Sequence, residues 1–228
     1  MDALLQLILL HIGLYTISLR KVIETRFFDG GSCNAAITRL LREDLIQRIS
    51  NGLDGNYSYY QLSQKGTKLC QLPQNRARPK EAKGLALDLA ALWFSCMGDK
   101  RRKRLTTEQL KSLFGAPKGG NVIHIAQDGD DDETTVFRIF APSPTAPLRT
   151  LLPSIKKSAF DIMSDEKVLR WVERGTYGLA VLVHSEDRRE DLADLIRNEE
   201  FPDIRIHLDV APTPTNLREF MTPEKDGE

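Results

Sequence analysis

SLRKVIETRFFDGGSCNAAITRLLREDLIQRISNGLDGNYSYY, residues 18–60, is the stretch around which the rest of the chain is organised. It reads as a helix, a Gly-Gly turn, a second helix opened by a polar cap, and two short strands joined by a Gly/Asn/Asp-rich tip. Ile37, Leu40, Leu41 and Leu45 fall at the spacing of one buried helical face, and Asn34, Thr38, Arg39 and Arg42 fall on the other. Asp29-Gly30-Gly31 supplies the turn before that helix, because glycine adopts positive φ without steric cost. Ser32 is its expected N-cap. Asn51-Gly52 and Asp54-Gly55 are both hairpin turn pairs.

Working outward, residues 2–13 read as a first helix with Leu4, Leu5, Ile8, Leu9 and Ile12 on its inner stripe, ended by Gly13. Residues 17–28 follow as a second helix, with Ser18 as cap and Leu19, Val22, Ile23 and Phe27 inward. After the hairpin, SQKGTKLC starts a short fourth helix. Residues 1–70 therefore run α-α-α-β-β-α, the order of a winged helix-turn-helix domain. In that arrangement helix 32–43 enters the major groove of duplex DNA and wing 50–57 lies along the backbone. Ser32 and Asn34 then sit at the helix N-terminus near a phosphate. Thr38, Arg39 and Arg42 face the groove, with Arg39 the residue suited to bidentate guanine recognition. Arg48, Asn51 and Asn56 lie over the backbone or minor groove, and Arg20 and Lys21 clamp phosphates. The competing reading is a protein-docking module, since the tip NGLDGN is not basic.

Residues 71–84, QLPQNRARPKEAKG, carry two prolines and four basic side chains without an apolar run, and read as a linker or exposed arm. GLALDLAALWFSCMG is more apolar than an exposed helix requires, so it is either a core helix of the second half or a surface for a partner subunit. KRRKR at 100–104 is a solvated helix end or loop, or else a contact for a nucleic-acid backbone. NVIHIAQ and TTVFRIF form an antiparallel hairpin across an acidic turn. The helix LRTLLPSIKKSAFDIM tolerates Pro153 if it lies in the first turn. TYGLAVLVHS is a strand covered on both faces, joined through the helix EDRREDLADLIRNEE to the parallel strand PDIRIHLDV. Residues 85–212 are thus a mixed α/β domain with a small central sheet, and 213–228 a flexible tail.

The formal charge is zero, but residues 1–83 hold 12 Lys and Arg against 7 Asp and Glu, leaving 20 against 25 for the remainder. The basic excess coincides with the helix-turn-helix. Cys33, Cys70 and Cys96 are far apart with no metal-ligand spacing, and read as small buried hydrophobes in a reducing, cytoplasmic setting. LLQLILLHIGLY is shorter than the ~20 residues that span a bilayer, so no membrane association is expected.

A winged helix followed by α-α-β-β-α-(α)-β-α-β resembles the replication-relaxation family of plasmid and mobile-element proteins. The short LSQKG segment after the wing and the late apolar strand plus helix carry the likeness. The resemblance implies an N-terminal winged helix and a second domain like the PD-(D/E)xK nuclease core. Such a core needs carboxylates for Mg²⁺ and a lysine near the attacking water, on the hairpin strands. Here Gly120-Asn121-Val122 opens the first strand and Val136-Phe137-Arg138-Ile139-Phe140 forms the second, with no acid and no E-x-K. Asp128, Asp130, Asp131, Asp132 and Glu133 belong to the turn between them. An inactive, restriction-endonuclease-like scaffold is therefore expected, with no catalytic residue, cofactor or metal. His11, His124, His184 and His207 are scattered and read as structural, and no Walker loop, GxGxxG or GxSxG is present. The expected protein is a DNA-binding regulator of transcription or replication acting as a homodimer, with a possible protein partner on its C-terminal domain. The alternatives are a winged-helix interaction adaptor and a divergent metal-dependent nuclease.

Overall fold

The computed structural model describes residues 2–98, 100–115, 122–129 and 133–221. The protein is mixed α+β, with a three-stranded and a five-stranded sheet, and divides into two units: Met1–Met97 with Pro212–Glu228, and Gly98–Ala211.

In the first unit, α1 (Ala3–Tyr15) is capped by the Asp2 carboxylate, which accepts from Leu4 N–H at 3.2 Å. The helix passes the expected stop at Gly13, where a Cβ would stand 2.8 Å from Leu72 Cδ1. Gly13 thus serves close packing rather than termination. Ser18 is not a helix cap, because Ser18–Leu19 form a short strand, β1, paired with Tyr60 and Tyr59. The buried Ser18 hydroxyl also bonds His11 Nε2 at 3.1 Å. Helix α2 therefore starts only at Arg20 and runs to Phe27.

The Asp29–Gly31 turn leads into α3 (Asn34–Arg42), as expected. The hairpin strands β2 (Ile46–Ile49) and β3 (Tyr59–Leu62) also follow expectation, with sheet order β1-β3-β2. Ile37, Leu40 and Leu45 are buried in one cluster with Ile8, Leu9, Ile12, Tyr60 and Leu62, and Leu41 packs at its margin. Each such side chain contributes about 1.5–3 kcal/mol on full burial. Helix α4 (Gln64–Leu69) is capped by Ser63, whose hydroxyl accepts from Gly66 N–H at 3.0 Å. A Cβ at Gly66 would lie 2.0 Å from Leu45 O, so only glycine lets α4 approach the start of β2.

Residues 71–84 are not a free arm. Gln47 Nε2 donates to Ala77 O, and Gln61 Nε2 to Arg76 O and Arg78 O, each at 2.6 Å. Three successive carbonyls are thereby tied to the sheet by two glutamine side chains. Helix α5 (Ala82–Cys96) then packs in the first unit, not the second. Its Leu85, Leu89 and Leu92 are buried with Tyr15, Ile17, Leu53 and Tyr59, which accounts for its apolar character without a partner subunit. Residues 212–221 return to the same unit rather than forming a loose tail: Leu217 is fully buried and begins α10 (Leu217–Met221).

The second unit is organised by the order β4-β5-β6-β7-β8. β4 (Arg102–Arg104), β5 (His124–Asp128) and β6 (Thr134–Phe140) are antiparallel neighbours. β6, β7 (Tyr177–Val183) and β8 (Arg205–Val210) are parallel, and β7 is buried along its whole length, as its unbroken apolar run implies. Helices α6 (Thr107–Phe114), α7 (Leu148–Met163), α8 (Glu166–Glu173) and α9 (Glu186–Arg197) contribute Leu110, Phe114, Leu151, Ile155, Val168, Val172 and Leu192 to the core formed with Val136, Leu179, Val181 and Val183. Pro153 lies beyond the first turn of α7, which absorbs it without ending. KRRKR is a loop only at Lys100 and Arg101: its last three residues are β4, and Arg102 is buried.

Among the described residues no helix is long and apolar enough to cross a membrane.

Candidate functional site

Helix α3 is held in place by both of its ends. Its N-cap position is Cys33, which makes no side-chain cap bond, so the expected cap at Ser32 is one residue early. Ser32 still serves the helix start, its hydroxyl accepting from Asn34 N–H at 3.3 Å. At the other end Leu45 N–H reaches Leu40 O at 2.9 Å and Asp44 N–H reaches Leu41 O at 3.0 Å, with Asp44 at φ 55°. This is the Schellman closure, with aspartate where glycine is usual. Lys65 Nζ donates to Glu43 O at 2.8 Å, satisfying one more terminal carbonyl.

All ten residues singled out from the sequence, Arg20, Lys21, Ser32, Asn34, Thr38, Arg39, Arg42, Arg48, Asn51 and Asn56, are exposed. Four stand on the outer face of α3, opposite the buried Ile37 and Leu40. Arg20 joins them by donating to the Asn34 side-chain oxygen. The Tyr60 hydroxyl, as a hydrogen-bond partner, holds the Arg20 guanidinium above its usual pKa despite partial desolvation. Arg39 pairs with Glu43 through Nε and Oε1 at 2.9 Å, which raises the arginine and lowers the carboxyl from their ordinary values. Arg42 has no ion pair among the described residues. Arg48 Nε donates to Ser58 Oγ at 2.9 Å across the hairpin, stiffening it. Asn51 and Asn56 lie in the β2–β3 connection, and neither bonds α3 among the described residues.

Sequence reasoning missed three partners of this face. The Arg39–Glu43 pair was readable from its i, i+4 spacing. Tyr60 and Lys65 come from β3 and α4, and no local pattern announces their contacts with Arg20 and Glu43.

In the second unit the most closely knit polar group is Arg102. Its Nε donates to Gln127 Oε1 at 2.9 Å, its Nη1 to Asp209 Oδ2 at 3.4 Å, and its Nη2 lies 3.3 Å from His207 Nε2. Burial pulls Arg102 below its usual pKa, against the opposing charge and hydrogen bond of Asp209. His11 and His124 are buried structural imidazoles, the latter 2.7 Å from the Tyr177 hydroxyl through Nε2. Among the described residues no group of three or more His, Cys, Asp or Glu side chains could hold a metal. Asn121, Asp130, Asp131 and Asp132 lie outside the described residues.

No family model, curated protein or solved structure matches this chain.

Proposed function

We propose that the first unit is a winged helix-turn-helix and that the protein is a duplex-DNA-binding regulator of transcription or replication, from a bacterial or mobile-element setting and acting in the cytoplasm. The observation that carries this reading is the outer face of α3. Asn34, Thr38, Arg39 and Arg42 are all exposed there, flanked by Arg20 and by the hairpin that bears Arg48. A convex helix that presents hydrogen-bonding and cationic side chains and buries its apolar ones suits a groove lined by phosphates. The second unit is read as a scaffold resembling a degenerate PD-(D/E)xK core, performing no reaction. The homodimer belongs to the same proposal through the gain from two half-sites, now without α5 as its contact. A monomer in sedimentation velocity, with and without DNA, removes that part.

The test is fluorescence anisotropy with a labelled random-sequence duplex over a KCl series. Affinity is expected to fall steeply with salt, and Arg42→Ala to cost about 1–2 kcal/mol, roughly 5- to 30-fold. Parent-like binding by both Arg39→Ala and Arg42→Ala overturns the recognition-helix assignment.

A protein-docking reading of the same domain draws on the wing, where residues 49–58 carry Asp54 and no cation. Absence of a duplex complex at low salt, with a stoichiometric protein complex instead, decides for it.

A further inference from the structure

The wing is not made by the hairpin alone. The segment after Ala211 comes back to its tip: Asp54 N–H donates to Pro214 O at 2.6 Å, and Leu217 is buried with Leu53, Leu89 and Leu92. Phe220 meets Trp93 edge to face, ring centroids 5.5 Å apart. The approach is shaped by a turn in which Asn216 Oδ1 accepts from Thr213 N–H at 2.7 Å and from Thr213 Oγ1 at 2.8 Å. This fixes α10 against the 3₁₀ turn Asp54–Asn56, with the Arg218 Cβ 3.4 Å from where a Cβ on Gly55 would stand. Arg218 is exposed.

We infer that Arg218 is part of the nucleic-acid interface and supplies the tip of the wing with a cationic phosphate contact that residues 49–58 lack. The inference rests on the proposed DNA-binding reading. Residues 49–58 carry one charge, the carboxylate of Asp54, which repels a phosphate backbone. A guanidinium rooted beside Gly55 offsets that charge and offers a planar fork to a phosphate. The buried Leu217 and the Trp93–Phe220 contact anchor its backbone, so its position is set by packing rather than by a free tail. Glu219 is exposed on the same short helix, so the helix brings no net charge and the phosphate contact is that of the Arg218 side chain alone.

The experiment measures binding of a fluorescein-labelled random-sequence duplex across a KCl series for the full chain and for Arg218→Ala, Arg218→Lys and Glu219→Ala. Expected are a loss of about three- to tenfold for Arg218→Ala with a salt slope shallower by about 1, and recovery of the slope in Arg218→Lys. Glu219→Ala is expected to leave the slope unchanged. Thermal melting of each variant confirms that the surface change leaves the fold intact. An unchanged slope in Arg218→Ala overturns the inference while the recognition helix still stands if Arg42→Ala weakens binding. Equal and opposite shifts from Arg218→Ala and Glu219→Ala overturn it in favour of a diffuse field. No binding by the parent chain at low salt overturns both this inference and the reading beneath it.

Discussion

Around α3 the charges stand in water, whereas on the five-stranded sheet they are turned on one another. The Arg39 and Glu43 side chains are 45% and 36% exposed, while Arg102 is 5% exposed against Asp209. An exposed ion pair contributes little, because water and salt screen it, so Arg39 can exchange Glu43 for an external anion at small cost. A buried guanidinium cannot make that exchange without leaving its partners unsatisfied in a poorly solvated place. The difference separates charge available for recognition from charge committed to structure, though both regions look alike as basic patches in the sequence.

Acid gives the largest effect, and it tests whether the two units share the same liability. Burial, aided by Arg26, lowers His11 to about 3, and burial, aided by Arg138, lowers His124 to about 4. One lies in each unit. For a histidine with a depressed folded pKa the unfolded chain takes the proton first. Stability is therefore full above about pH 6.5 and falls as pH drops toward the folded values, by up to about 1.4 kcal/mol per pH unit for each imidazole. Urea unfolding at pH 7, 6 and 5 measures this, read by Trp93 in the first unit and Trp171 in the second after Trp171→Phe and Trp93→Phe respectively. A flat profile for either tryptophan shows that its unit does not bury a neutral imidazole.

The next largest effect sharpens the contrast directly. Arg102→Met is expected to destabilise the second unit by about 2–3 kcal/mol, below the range for a fully enclosed pair because Asp209 retains 36% exposure. Duplex affinity should not change. Arg42→Ala should do the reverse, moving affinity while unfolding stays within about 0.5 kcal/mol of the parent. If Arg102→Met weakens binding as much as Arg42→Ala does, the division between structural and recognition charge fails.

This division also marks how far the sequence can be read. The inner and outer faces of α3 follow from a 3.6-residue period, because one stripe meets a core and the other meets water. Strand β7 was legible because Leu179–Val183 is an unbroken apolar run, and all seven positions of the strand are buried. The fate of KRRKR was not, since only pairing of β4 with β5 turns Arg102 inward onto Gln127. The linker was misread for a similar reason: its carbonyls are captured by Gln47 and Gln61, which stand 30 and 15 or more positions away along the chain. Residues 212–221 carry no local sign that Leu217 fills a site beside Leu53, because that site is assembled from distant elements. Periodicity reports what each element does with its own faces and is silent on which distant side chain satisfies a backbone group.

The smallest predicted effect separates stability from recognition within α3 itself. Asp44 holds φ 55° at the position where the helix closes on Leu45, a conformation that costs an ordinary L-residue about 1 kcal/mol and glycine nothing comparable. Asp44→Gly is therefore expected to stabilise the first unit by about 0.5–1 kcal/mol, and Asp44→Asn by less, since asparagine tolerates this region only in part. Both variants remove the same exposed negative charge at the end of α3, two positions after Arg42, so both should raise duplex affinity alike at low salt and lose the advantage as salt screens it. Unfolding should then rank Gly above Asn above the parent while binding ranks the two variants together. If affinity instead tracks stability through the series, α3 acts through how firmly it is held, and the exposed charges on its outer face are not what a partner reads.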